Sequence, residues 1–175
     1  LLESDDPRHK FNVASIYDLP FGRGRRFGAD ANKGTNAILG GWTVSGIYSY
    51  VSGDFLRFGA MQVSGDPVLS NRTRDKWFDT SKFTRQPDFT RRSNPLQFEG
   101  LTGPAPSSLD MTLAKRFKVT ERIGFEVRME TYNLTNSFIG AMPNVNVDNS
   151  QFGRAVTQRG GFNGRQFQYT GRFRW

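Results

Sequence analysis

Five segments of the chain alternate apolar and polar residues with a period of two. Phe11, Val13, Ser15, Tyr17 and Leu19 share one phase, opposed by Lys10, Asn12, Ala14, Ile16 and Asp18. Trp42, Val44, Gly46, Tyr48 and Tyr50 alternate with Thr43, Ser45, Ile47 and Ser49. Leu109, Met111, Leu113, Phe117 and Val119 oppose Asp110, Thr112, Arg116 and Lys118. Lys115 falls on the apolar side near that strand's end, where its stem can snorkel toward water. Ile123, Phe125, Val127 and Met129 alternate with Arg122, Gly124, Glu126, Arg128 and Glu130. A helix would scatter those four apolar residues around its circumference, whereas a strand puts them on one face. Phe167, Tyr169, Phe173 and Trp175 close the chain against Gln168, Thr170, Arg172 and Arg174, with Gly171 in the aromatic register. The pattern predicts strands near residues 8–19, 38–53, 107–119, 122–135 and 165–175.

The connections between these strands are uneven. A very short turn near Thr120 and Glu121 joins the third and fourth, and a basic stretch with Gly22, Arg23, Gly24, Arg25, Arg26 and Gly28 lies between the first and second. Long loops are predicted at 58–106 and 136–164. A structureless loop of that length counts against a compact soluble domain. Bacterial outer-membrane barrels, by contrast, combine short periplasmic turns with long outward loops. If the last strand ends in the periplasm, the shortest turn lands there too and both long loops land outside. The first-to-second connection is longer than a typical periplasmic turn. The expected fold class is therefore all-β, an antiparallel transmembrane β-barrel segment with long extracellular loops.

Composition agrees with strands and turns. Of 175 residues, 36% are hydrophobic but 14% are aromatic, with 16 Phe and 19 Gly. No apolar run approaches the ~18 residues a spanning helix needs, so a membrane role has to use strands that satisfy their own backbone hydrogen bonds. The net charge of +8 suits a nucleic acid, an anionic membrane surface or a basic loop set. Without Cys there is no disulfide framework and no thiolate metal site. The first residues, Leu1 to Asp6, show neither a basic n-region nor an apolar h-region, so an export signal is expected upstream of a fragment.

Candidate chemistry is sparse, and no catalytic, cofactor-binding or metal residues are expected; the chain does not read as an enzyme. Glu126 and Glu130 share a strand face, but four residues of strand separate them by roughly 13 Å, beyond the ~5–9.5 Å of a glycosidase pair. Lumen-facing charges paired with Arg122 and Arg128 are the plainer reading. His9, the single His, has no second ligand for a zinc site. The Gly22–Gly28 stretch lacks the Lys-Ser/Thr of a phosphate loop and reads as a basic turn. Arg159-Gly160-Gly161-Phe162 and Gly164-Arg165 have the composition of RGG segments, but the aromatics occupy strand faces, and no nucleic-acid partner is expected. A soluble β-sandwich that binds carbohydrate stays open, because a sandwich also has one apolar face.

Particular segments carry a family likeness. RHKFNVASIYDLPFGRGRRF and ILGGWTVSGIYSYVSG, then DKWFDTSKF and GLTGPAPSSLDMTLAKRFKVTERIGFEVRMETYNLTN, and finally FNGRQFQYTGRFRW follow one another over most of the chain. In this order they resemble the late hairpins and terminal strand of TonB-dependent outer-membrane receptors of the Oar-like group. The resemblance implies that residues 1–175 are the C-terminal part of a larger barrel, contributing about five strands, lumen wall and extracellular loops for uptake across a Gram-negative outer membrane. It implies outer-membrane lipid, the rest of the barrel and its plug as partners, with TonB engaged only through a part of the parent upstream of this chain. Asp110, Arg116, Glu126, Arg128, Glu130, Arg172 and Arg174 are expected to face the lumen or plug. Phe11, Val13, Val44, Leu113, Phe125, Val127 and Phe167 are expected to face lipid, with Trp42, Tyr17 and Trp175 in the interfacial girdle. Phe173 and Trp175 match the alternating aromatic ending that the barrel-assembly machinery reads; Gly171 sits two residues before Phe173, where the family's spacing is three.

Overall fold

A computed structural model describes residues 7–175; residues 1–6, the stretch without signal-like character, lie outside the described residues. In chain order the elements are β1 (Lys10–Asp18), helix α1 (Lys33–Leu39), β2 (Trp42–Val51), β3 (Met61–Val63), β4 (Phe83–Arg85), β5 (Ser107–Lys118), β6 (Gly124–Tyr132) and β7 (Gln166–Arg174), with one 3-10 turn at Thr80–Lys82. Aromatic and β-branched residues in alternation suit the pleat of a strand, and all five alternating segments are strands. They form one sheet in the order β1-β2-β5-β6-β7. The described residues divide into two compact units: one is Phe11–Ser49, Ser108–Ser137 and Gly164–Trp175; the other is residues 7–10 with Tyr50–Ser107 and Phe138–Asn163.

The first unit is the sheet. Every neighbouring pair is antiparallel. The Leu19 N–H donates to Trp42 O (2.9 Å), and the Arg116 N–H donates to Gly41 O (2.9 Å). Lys118 pairs with Gly124 and Met111 with Thr131, while Gly124 pairs with Arg174 and Tyr132 with Gln166. The register comes from the turn at 119–123, where the N–H groups of Val119 and Thr120 both donate to Ile123 O at 3.0 Å and the Thr120 hydroxyl accepts from the Ile123 N–H at 2.9 Å. Opposed residues share a face. Leu113, Phe117, Phe125, Val127, Met129, Phe167, Tyr169 and Phe173 thus lie together, and Arg116, Glu126, Arg128, Glu130, Arg172 and Arg174 lie on the opposite face. The apolar face is exposed: Phe11 keeps 55%, Phe167 53% and Phe173 55% of its surface. A sandwich would bury that face beneath a second sheet about 10 Å away, and among the described residues of this unit there is none.

The β1–β2 connection is more than the basic turn that its composition suggested. Residues 33–39 are helical, so β2 begins at Trp42 rather than near residue 38. Asn32 caps α1, its side-chain oxygen accepting from the Thr35 N–H at 2.8 Å. Gly22 and Gly40 pack backbone to backbone, and a Cβ on Gly22 would sit 2.6 Å from Gly40 Cα. Gly41, at φ +75°, turns the chain into β2 where a Cβ would meet Arg116 O at 2.5 Å. Lys115 explains the helix's position. Its ammonium does not reach water as a snorkelling lysine would: the residue is 4% exposed. Instead Nζ donates to Ile38 O at 2.8 Å and to Gly40 O, with the Trp42 ring 4.9 Å away. Trp42 Nε1 donates to the same Ile38 carbonyl at 2.9 Å. A cation on the unpaired carbonyls at a helix C-terminus is favourable in hydrogen bonding and in dipole.

The second unit corrects the expectation of structureless loops. β3 and β4 pair antiparallel, Val63 against Phe83 and Met61 against Arg85. Leu56, Phe58, Met61, Phe78, Phe83 and Leu101 form a buried core. Phe58 stacks on Phe83 with centroids 5.1 Å apart, and Phe78 meets Phe58 edge-on at 5.3 Å. Phe152, from the 136–164 connection, packs edge-on against Phe78 at 5.2 Å. The Trp77 N–H donates to Gly153 O (2.8 Å) and the Ala155 N–H to Arg74 O (2.7 Å). The two long connections therefore share one core. Asp79 closes the 3-10 turn by accepting from the Ser81 hydroxyl at 2.8 Å, and that hydrogen bond holds its carboxyl below the usual carboxylate range.

Candidate functional site: the charged face and a loop cavity

Strand alternation places the charges of β5, β6 and β7 in rows across the sheet. Arg116 lies opposite Glu126, which lies opposite Arg172. Arg116 Nε donates to Glu126 Oε2 at 2.8 Å, and Arg128 reaches Glu126 Oε1 at 3.6 Å and Glu130 Oε1 at 3.7 Å. Glu126 is 7% exposed, so its carboxylate is buried among cations that compensate it. Arg116–Glu126 is the cross-strand pair, the kind that contributes about 0.2–1 kcal/mol, while Arg128 and its two glutamates lie along β6 itself. Arg122, an expected partner, sits in the 119–123 turn; Arg116 fills that role because the register sets it opposite Glu126.

The other expected residues are placed as follows. Asp110 has the phase of the charged face, but its Oδ1 accepts from the Asn133 N–H at 2.8 Å and so anchors the chain leaving β6. There Asn133 and Asn136 adopt positive φ, and Asn136 Oδ1 accepts from the Arg165 N–H at 2.9 Å. Asp110 thus braces a turn instead of joining the ion-pair row. Arg174 lies opposite Gly124 on the charged face. Phe173 and Trp175 stack with centroids 6.0 Å apart at the end of β7, both on the sheet's exterior. Trp42, Tyr17 and Trp175 fall at the strand ends served by the 119–123 turn.

Within the loop unit the fold creates a cavity of about 500 Å³, lined among others by Met61, Arg85, Gln86, Asp88, Phe89 and Val147. Gln86 is 7% exposed; its Nε2 donates to Arg91 O at 2.6 Å and its Oε1 has no partner among the described residues. Phe89 has φ +59° and a fully exposed ring, a rare conformation for a bulky residue. Nothing in the 58–106 sequence marked a ligand site. The cavity depends on chain reversal through β3 and β4, and the isolated aromatics that seed the core are the one signal available beforehand.

An exposed apolar face on one side of a single sheet, a charge row on the other, and strands that carry no covering layer fit a sheet solvated by lipid. A family model described as an outer membrane beta barrel domain matches residues 2–168. The chain belongs to this outer-membrane β-barrel family. No curated protein and no solved structure matches it. As an outer-membrane barrel domain, the chain resides in the outer membrane of a Gram-negative bacterium, and its lipid contacts fall to the apolar face.

The face assignment carries a direct test. Val127 lies mid-strand on the apolar face, opposite Lys115 and Gly171. Val127→Arg in the complete protein is expected to cost about 2–4 kcal/mol, the penalty for a cation near the bilayer midplane. Thr112 lies opposite Glu130 on the charged face, so Thr112→Arg gains a cross-strand partner and is tolerated. Heat-modifiable mobility and urea titration in bilayers check the order. Greater damage from Thr112→Arg would show the faces reversed.

Proposed function

We propose that the chain forms the C-terminal wall of a TonB-dependent transporter of the Oar-like group. The ordered series of segments resembling that group supports this reading, and the observation that carries it is the charged face. Arg116, Glu126, Arg128, Glu130 and Arg172 share one face, with Arg116–Glu126, Arg128–Glu126 and Arg128–Glu130 as ion pairs, which suits a wide, wet lumen occupied by a polar plug. In this reading the loop unit supplies outward recognition, since binding residues concentrate on loops held by a rigid scaffold. Phe173 and Trp175 supply the aromatic ending engaged by the barrel-assembly machinery. TonB is engaged by a segment of the complete protein outside this chain.

Two measurements test the proposal. The complete protein in detergent is expected to retain the periplasmic domain of TonB on an affinity column; a protein that folds and retains none would contradict energy-coupled transport. In intact cells, Asp88→Cys should react with a membrane-impermeant maleimide, whereas Thr120→Cys should react only after the outer membrane is permeabilised. Equal labelling at both positions would overturn the orientation.

A further inference from the structure

The β1–β2 connection, residues 19–41, carries a combination that barrel closure does not require. Arg23, Arg25, Arg26 and Lys33 are exposed, and Asp30 is the single acid from Pro20 to Gly41. Among the described residues none of these four cations has an ion-pair partner within 4.0 Å. Beside them large apolar side chains stand in the open. Ile38 is 71% exposed, Phe27 51% and Leu39 45%. Phe21 and Phe27 lie against each other with centroids 5.6 Å apart, and the Arg26 guanidinium sits 5.5 Å from the Phe27 ring. A polar turn facing only water would not hold such a set on its surface.

Its placement on the sheet gives the set a reason. Lys115 is on the apolar face, opposite Val127, and its ammonium is bonded to the carbonyls of Ile38 and Gly40. Trp42 begins β2 in the same phase and bonds Ile38 O. These two side chains tie the C-terminal end of α1 to the lipid-facing side of the strand ends. Ile38 and Leu39 are then held where acyl chains meet headgroups. Next to them a cavity of about 670 Å³ is lined by Arg23, Arg25, Lys33 and Lys118, with Phe21 and Trp42 as apolar neighbours. The lining holds one acid, Asp18, which accepts from the Thr43 hydroxyl at 2.6 Å and keeps its charge, and Arg116 is engaged by Glu126. Arg23, Arg25 and Lys33 line this space and outnumber its one acid, which suits a phosphate, and the apolar side chains offer a bed for the tails attached to it. Basic residues beside apolar ones are the ordinary means of holding an anionic lipid surface.

We propose that the β1–β2 connection binds the headgroup of an anionic phospholipid in the periplasmic leaflet, with Arg23, Arg25 and Lys33 on the phosphate and Phe21, Phe27, Ile38 and Leu39 against the acyl chains. The periplasmic assignment rests on the orientation proposed above, which the Thr120→Cys labelling tests separately. The length of this connection, unusual for a periplasmic turn, follows from the site it builds.

The test uses the complete protein in a neutral detergent, titrated with short-chain phosphatidylglycerol or phosphatidylcholine and read by native mass spectrometry. Phosphatidylglycerol adducts are expected to outnumber phosphatidylcholine adducts at equal concentration. Removing each cation should weaken the preference about five-fold, so Arg23→Gln/Arg25→Gln/Lys33→Gln should reduce phosphatidylglycerol to the phosphatidylcholine level. Because these residues are exposed, heat-modifiable folding should be unchanged; Ile38→Ser/Leu39→Ser should also lose adducts while every cation remains. Equal retention of the two lipids, or full retention by the triple variant, would overturn the proposal. Displacement of the lipid by equimolar inorganic phosphate would do so as well, because it would mark a free-anion site.

Discussion

The constraint on which this structure depends is that backbone amides and carbonyls inside a bilayer have no water to bond. Each must be paired within the protein, and for strands that means a continuous antiparallel ladder. The ladder fixes the pleat, and the pleat sends alternate residues to opposite sides. Once β5, β6 and β7 are in register, Val127 and Phe125 have to lie on the same side as Phe117 and Phe173, and Glu126 has to lie beside Arg116 and Arg172. One ladder therefore produces both an apolar surface and an ionic one on the opposite face. A register slip by one residue would exchange them along a whole strand, and the tight 119–123 turn excludes that slip between β5 and β6.

The ends of the strands solve a different problem, which is how to stop. At β2 and β5 the end is tied by Lys115, whose cation neutralises the C-terminal carbonyls of a helix too short to be stable by itself. At the end of β6 the chain is turned by Asp110 and by Asn133 and Asn136 in left-handed conformations. The long connections carry a core of their own, built of Phe58, Phe78, Phe83 and Phe152. Stacked and edge-on rings give a small unit more than their buried area alone would, which lets residues 58–106 hold a defined shape with two three-residue strands.

Where local pattern and tertiary structure agree, the sequence could be read. β6 was legible because Phe125, Val127 and Met129 alternate with Glu126, Arg128 and Glu130, and the short turn before it identifies its partner. The ionic row was legible for the same reason, although Arg122 was expected where Arg116 stands, because the pairing depends on where the turn ends. α1 was not legible: Lys33-Gly34-Thr35-Asn36 contains poor helix formers, and its support comes from Lys115, more than seventy residues away in sequence. The aromatic core was not legible either, since Phe58, Phe78 and Phe83 follow no period and meet only after the chain reverses. The family likeness supplied what periodicity could not, namely that the apolar face meets lipid rather than a second sheet.

That claim is most directly measured by nitroxide scanning of β6 in the complete protein reconstituted in bilayers. Spin labels at successive positions from Phe125 to Thr131 should alternate. At Phe125, Val127 and Met129 collisions with oxygen should dominate, and at Glu126, Arg128 and Glu130 those with a water-soluble nickel chelate should. A period-two oscillation with the two reagents out of phase is the predicted result. Equal access of the nickel chelate to both sets of positions would mean that water covers both faces, and the sheet would not be a membrane wall.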